Sequence, residues 1–195
     1  MYKKQMGIQR ILCILAVIAG ALVFLYSLGI LTDLYEMLYP LEGTRDVPDI
    51  DTSLYFDMQG FNRRLEWIGI GLILVSCTLF ITNTHQRRRY YVSNWVSTIL
   101  VFGCNAAAAV WTVTNLVPYR ARFLDLDFDA IEIWLAEQGY IGNFTRSTFW
   151  FDAVWGVFGF ALIISVLLIV NAIWKNTLMA RERDLLRGNG KAVLS

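Results

Sequence analysis

Apolar residues in this chain come in four long, nearly continuous runs, where a soluble domain would alternate them with polar residues at helix or strand period. The runs cover about residues 11–31, 65–83, 91–117 and 149–174. A helix rises about 1.5 Å per residue, so about 20 residues cross a hydrocarbon layer of about 30 Å. The first, third and fourth runs reach that length; the second is short unless Arg64–Glu66 lie at headgroup level. Inside lipid every backbone amide must find its partner within the protein, which makes each run a helix. The pattern predicts an all-α integral membrane protein. It reads as a single four-helix domain over residues 1–195, its transmembrane helices arranged as two hairpins.

Between the runs the pattern is sparser. Past the first span, Ile30, Leu31, Leu34, Tyr35 and Leu38 keep the helical period until Pro40 stops it. Residues Glu42–Asp51 read as exposed coil. In the second long loop Asp129 and Glu132 have capping-box spacing, with Phe128 and Ile133 placed for a hydrophobic staple. A short amphipathic helix over Ala130–Gln138, ended by Gly139, is expected there. Its apolar face of Ile131, Trp134 and Leu135 would lie on the membrane surface or on the neighbouring loop. Beyond the fourth span, Lys175–Arg187 can continue as a partly amphipathic helix (Leu178 with Leu185, Met179 with Leu186) that Gly188 stops. Ser53-Leu54-Tyr55-Phe56-Asp57 echoes Thr148-Phe149-Trp150-Phe151-Asp152. The echo fits a duplicated hairpin; it equally fits aromatics at the interface with an Asp at a helix start.

Charge orients the spans. Residues 1–10 hold Lys3, Lys4 and Arg10 with no acid, and the segment between the second and third spans holds Arg87, Arg88 and Arg89. The tail 175–195 holds five basic and two acidic residues, whereas 32–66 and 118–152 together hold six basic and fourteen acidic ones. The positive-inside rule places both termini in the cytoplasm, with loops 32–64 and 118–148 external. Arg87, Arg88 and Arg89 set the topology, and they can also hold anionic headgroups at about 1 kcal/mol each. The first span is too long for a signal-peptide core and lacks a small-x-small cleavage site before Asp33, so it reads as a retained helix.

Candidate chemistry is thin. Cys13, Cys77 and Cys104 fall inside spans, which argues against outer-loop disulfide frameworks and Cys-x-x-Cys oxidoreductases. His85, the only histidine, cannot supply the ligand pair of a membrane haem. Asp125, Asp127 and Asp129 start like a calcium loop, but Ala130 and Ala136 stand where Gly and Glu are needed. Asn143-Phe144-Thr145 is a formal glycosylation acceptor. No ionisable residue sits in the middle of a span, where a proton relay would put one. No nucleophile–base pair or phosphate loop is present, so no enzyme, cofactor or metal is expected, and no nucleic-acid partner.

The third span carries most of the polar residues within spans: Ser97, Thr98, Asn105, Thr112 and Thr114, beside Gly103 and the run Ala106–Ala109. Small residues let helices approach, and Asn or Thr can bond across them. This helix is expected to be buried, at the bundle centre or against a partner. Gly103, Asn105, Thr112 and, in the fourth span, Asn171 are its candidate packing or partner contacts, with Gly69/Gly71 and Gly156/Gly159 as further contact points. Asp57, Arg63, Arg64, Trp134 and Asp152 are candidate external interaction residues, the two arginines pairing with the acidic loops.

Leu25-Tyr26-Ser27-Leu28-Gly29-Ile30-Leu31-Thr32-Asp33-Leu34-Tyr35, Tyr55-Phe56-Asp57-Met58-Gln59 and Phe149-Trp150-Phe151-Asp152 resemble uncharacterised four-helix proteins of bacterial cytoplasmic membranes, associated with sugar-importer permeases of the ATP-binding-cassette class. The resemblance implies a bacterial inner-membrane location and assigns no residue a role. The expected function is an accessory or assembly subunit that binds the bilayer and other membrane proteins or itself. The alternative is a small homo-oligomeric transporter or channel with the polar strip of the third span as its lining.

Overall fold

The computed structural model describes residues 2–41, 50–84, 91–140 and 144–192. Its elements, in chain order, are α1 (Tyr2–Gly29), α2 (Thr32–Leu38), a 3-10 turn (Tyr39–Leu41), α3 (Ser53–Thr84), α4 (Tyr91–Leu124), α5 (Phe128–Glu137) and α6 (Phe149–Ala192). The described residues contain no strand. Helices α1, α3, α4 and α6 are long and apolar enough to cross a membrane. Each outruns its apolar stretch, because polar residues at helix ends keep their backbone bonds when the next residues favour helix.

Particular ends differ from expectation. Two turn residues, Ile30 and Leu31, separate α1 from α2, so the helical period beyond the first span is broken once. Pro118 lies inside α4, which continues to Leu124. Gly188 does not stop α6, which runs on to Ala192. Helix α5 is capped by Asp127, whose Oδ1 accepts from the Ala130 amide at 3.0 Å. Asp129 does not serve as the cap. Its carboxylate pairs with Arg146 instead. Gly139 does end the segment, with φ +73, a conformation that glycine adopts without a Cβ penalty. Of the coil expected over Glu42–Asp51, residues 42–49 lie outside the described residues, as do His85, Arg87, Arg88, Arg89 and Asn143.

Helix α1 packs on α3 and α6, and α4 packs on the same two helices from the other side. Neighbours run in opposite directions: Gly20 faces Leu72 and Ile73 while Gly69 faces Phe24. Tyr26 likewise meets Trp150 while Gln9 meets Asn171. A Cβ on Gly20 would sit 2.9 Å from the Ile73 nitrogen, and one on Gly69 would sit 2.8 Å from Phe24 backbone. These two glycines set the α1–α3 spacing. Gly71, Gly103, Gly156 and Gly159 face open space and set no spacing within the chain.

The interior is layered along the bundle axis. The half nearest α2 and α5 holds a large apolar core that includes Met37, Leu54, Met58, Leu65, Phe123 and Phe151. Ile131, Trp134 and Leu135 belong to that core, so the apolar face of α5 packs into the protein and not onto a membrane surface. Next comes a mid-bundle layer where Ser76, Asn105 and Ser165 are buried, then a smaller apolar layer of Leu12, Cys13, Leu79, Val101, Ile164 and Leu168. The end carrying the termini is polar: Gln5, Gln9, Asn83, Asn94, Thr98, Asn171 and Lys175 are all buried there.

Candidate functional site

Helix α4 organises both candidate regions. Its polar residues divide by face. Asn105, 3% exposed, donates from Nδ2 to Val101 O at 3.0 Å and across to Ser165 Oγ on α6 at 3.1 Å. Thr98 and Thr112 also point inward and are buried. The opposite face carries Val96, Ile99, Gly103, Ala107, Val110, Thr114 and Val117, all exposed. Gly103 and Ala107 stand four residues apart, one helical turn, with the bulkier Ile99 before them and Val110 after them. Thr114 donates to Val110 O at 2.8 Å and Asn115 to Trp111 O at 2.7 Å. Bonding back onto the helix satisfies these outward polar groups, so they can face an apolar neighbour. The expected burial of this helix is therefore half met: within one chain α4 lies on the perimeter.

At the α2/α5 end, the last turns of α4 reach two helix starts at once. Arg122 grips Asp51 with two bonds, Nε to Oδ2 at 2.7 Å and Nη2 to Oδ1 at 3.0 Å. It also reaches Asp57 Oδ2 at 2.8 Å and Ser53 Oγ at 2.8 Å, on the first turns of α3. Two residues earlier, Arg120 Nε meets Asp152 Oδ1 at 3.1 Å on the first turn of α6, where Thr148 donates to the same carboxylate at 2.6 Å. The two echoing segments, 53–57 and 148–152, are thus clasped by adjacent arginines of one helix. Hydrogen bonds from Arg122 hold the Asp51 carboxyl below its ordinary value of 3.8, with Ser53 assisting and burial opposing. Arg146 joins Asp129 at 2.8 Å and Glu132 on α5, and Thr145 donates to Asp33 of α2 at 3.0 Å.

Asp57 and Asp152 therefore belong to a clasp that closes the bundle, and they were legible as a pair. Trp134 is only 7% exposed, a core residue and not an external contact. Arg63 and Arg64 are exposed, and Asp51, Asp57, Asp129, Glu132 and Asp152 pair with Arg120, Arg122 and Arg146. The sequence gives one signal for the true partners: Arg120 and Arg122 follow Pro118 within helical reach of the third span. Of the acidic triplet, Asp127 caps α5 and Asp129 pairs with Arg146; among the described residues no cluster of His, Cys, Asp or Glu could hold a metal ion.

At the other end, Asn171 Nδ2 donates to Gln9 Oε1, joining α6 to α1. Gln9 Nε2 reaches Cys13 Sγ at 3.7 Å, and Asn83 Nδ2 reaches Ser97 Oγ at 3.5 Å. Lys175, read from the sequence as the first residue of a basic, partly amphipathic tail, is 7% exposed within this layer. A lysine directly after an apolar run looks like a snorkelling end residue, and only the neighbouring helices bury it.

The fold and these faces define the class: an all-helical chain whose four long apolar helices fit a multi-pass membrane protein. Compared with family models, curated proteins and solved structures, the chain finds no match in any of the three.

Proposed function

We propose that this protein is a non-enzymatic accessory or assembly subunit of a membrane complex, docking a partner's transmembrane helix on the outward face of α4. The observation that carries the reading is the exposure of Gly103 and Ala107 one turn apart on that face. Without bulk at these positions a second helix backbone can approach closely, and association in lipid depends on that packing because apolar burial alone supplies no drive there. The ionic clasp supports it, since it holds the end of α4 between the starts of α3 and α6 and keeps the docking face in a fixed orientation. On the charge bias, we place both termini in the cytoplasm of a bacterium and both long loops outside. The resemblance to proteins associated with sugar-importer permeases favours a transport complex as the assembly.

Native purification tests the proposal. Gly103→Leu and Ala107→Leu should each reduce recovery of the co-purifying partner at least about tenfold, the loss of roughly 1.4 kcal/mol of association, with unchanged monomer folding. Partner recovery equal to wild type in both variants would refute it.

A second reading, a small transporter, draws on the polar layer that all four long helices share at the terminal end. The other half is filled mainly by an apolar and aromatic core, with Phe61 stacked on Trp111 at 5.3 Å, which favours the accessory reading. Flux in liposomes by wild type and its loss in Asn105→Leu would reverse that order.

A further inference from the structure

Two arginines on the outward face of α3 stand without partners. Arg63 and Arg64 are exposed, and neither forms an ion pair or hydrogen bond with another described residue. The one carboxylate within a turn of them on α3, Glu66, accepts from Asn62 Nδ2 at 3.1 Å. Asp57, the acid before them on the same helix, is held by Arg122. Arg120, Arg122 and Arg146, the other arginines described at this end of the bundle, are all paired.

The helix sets their depth. Gly69 faces Phe24 across the antiparallel α1–α3 contact, so Arg63 stands level with Ile30, in the turn where α1 ends. The apolar part of the face begins just below. Trp67, four residues after Arg63 and three after Arg64, shares their side of the helix and is 68% exposed. Leu74 and Ile81 continue that face, while α1 and α4 pack on the other sides of α3. Gly71 adds no side chain between Trp67 and Leu74 and leaves the helix surface bare there. From Arg64 to Leu74 the helix rises about 15 Å, the hydrocarbon depth of one leaflet. Two cations, an indole and an apolar strip one leaflet deep follow the order of groups in a phospholipid.

Charge and shape select the occupant. Arginine stays charged and bonds phosphate oxygens through two parallel N–H groups, and an indole suits the level of the lipid esters. Trp67 juts from the middle of the face, which holds a second helix backbone away, whereas fluid acyl chains mould around it. We propose that Arg63, Arg64 and Trp67 bind an anionic phospholipid in the leaflet on the α2/α5 side, its phosphate on the guanidiniums and its acyl chain along α3. The site lies on a different helix from the α4 docking face and does not depend on it.

The test uses the full chain in phosphatidylcholine vesicles carrying a minor fraction of lipid brominated high on its acyl chains. That lipid is either phosphatidylglycerol or phosphatidylcholine. The quenching carried by Trp67 is the difference between the chain and its Trp67→Phe variant. It should reach half-saturation at an at least about fivefold lower mole fraction of brominated phosphatidylglycerol than of brominated phosphatidylcholine. Arg63→Gln/Arg64→Gln should bring the two midpoints together while leaving the unfolding midpoint in phosphatidylcholine unchanged. Arg63→Lys/Arg64→Lys, which keeps the charge, should retain most of the preference. Equal midpoints for both lipids in the unaltered chain would overturn the proposal, as would a preference that survives the glutamine pair. Loss of a co-purifying protein from the glutamine pair, with lipid preference intact, would also overturn it and hand the arginines to a protein partner.

Discussion

Arg122 carries more of the bundle's closure than any other charged side chain described. It holds Asp51 by two parallel bonds and spans to Asp57 and Ser53 as well. Single exposed ion pairs contribute about 0.2–1 kcal/mol, and bidentate networks stand above that range. Arg122→Ala should therefore destabilise the protein by about 1–2 kcal/mol in chemical denaturation. Arg122→Lys should restore less than half, since an ammonium cannot reproduce the planar fork. The pH dependence follows from Asp51. Its carboxyl is held below 3.8, so the stabilisation is fully present above that value and is lost as the pH falls through the lower, folded-state value. The stability gap between wild type and Asp51→Asn should be constant near neutrality and shrink in acid below about pH 4; a gap that widens in acid would contradict the pairing. At this scale the sequence was least legible. Charge counts separate acidic from basic segments, but which arginine meets which carboxylate depends on α4 running past Pro118 to Leu124. The capping-box spacing favours Asp129, whereas the cap is Asp127 and Asp129 pairs with Arg146. Lys175 had no sequence mark of burial.

Among the elements, the long helices were plain in the sequence because lipid forces a continuous apolar run into helix. The facing of each helix was not. Every span carries glycine or small residues, and apolar residues on all sides remove the amphipathic stripe that tells inside from outside in soluble helices. The structure separates them: Gly20 and Gly69 face backbone across the α1–α3 contact, while Gly103 faces outward. Gly20→Leu and Gly69→Leu should each destabilise the isolated chain by about 1–3 kcal/mol, the usual penalty of overpacking, whereas Gly103→Leu should leave its unfolding midpoint within error of wild type. Unfolding curves in mixed micelles read the difference directly. Equal effects at all three positions would mean that the helices pack on other faces.

For the whole molecule, the balance of charge between segments predicts how the chain threads the bilayer, and a cysteine-free variant makes that measurable. Arg45→Cys should react with an impermeant maleimide from outside intact cells and Arg88→Cys only after permeabilisation; the reverse pattern would invert the topology. The partner-binding account asks for more than topology, since it places one face of one helix against a neighbour. Site-specific photocrosslinking in native membranes interrogates that face directly, with the crosslinker placed at Ala107 on α4 or at Ile163 on the exposed side of α6. A discrete protein adduct from position 107 and none from position 163 is the result the account predicts. Lipid-only labelling at both positions, or the same adduct from each, would contradict it.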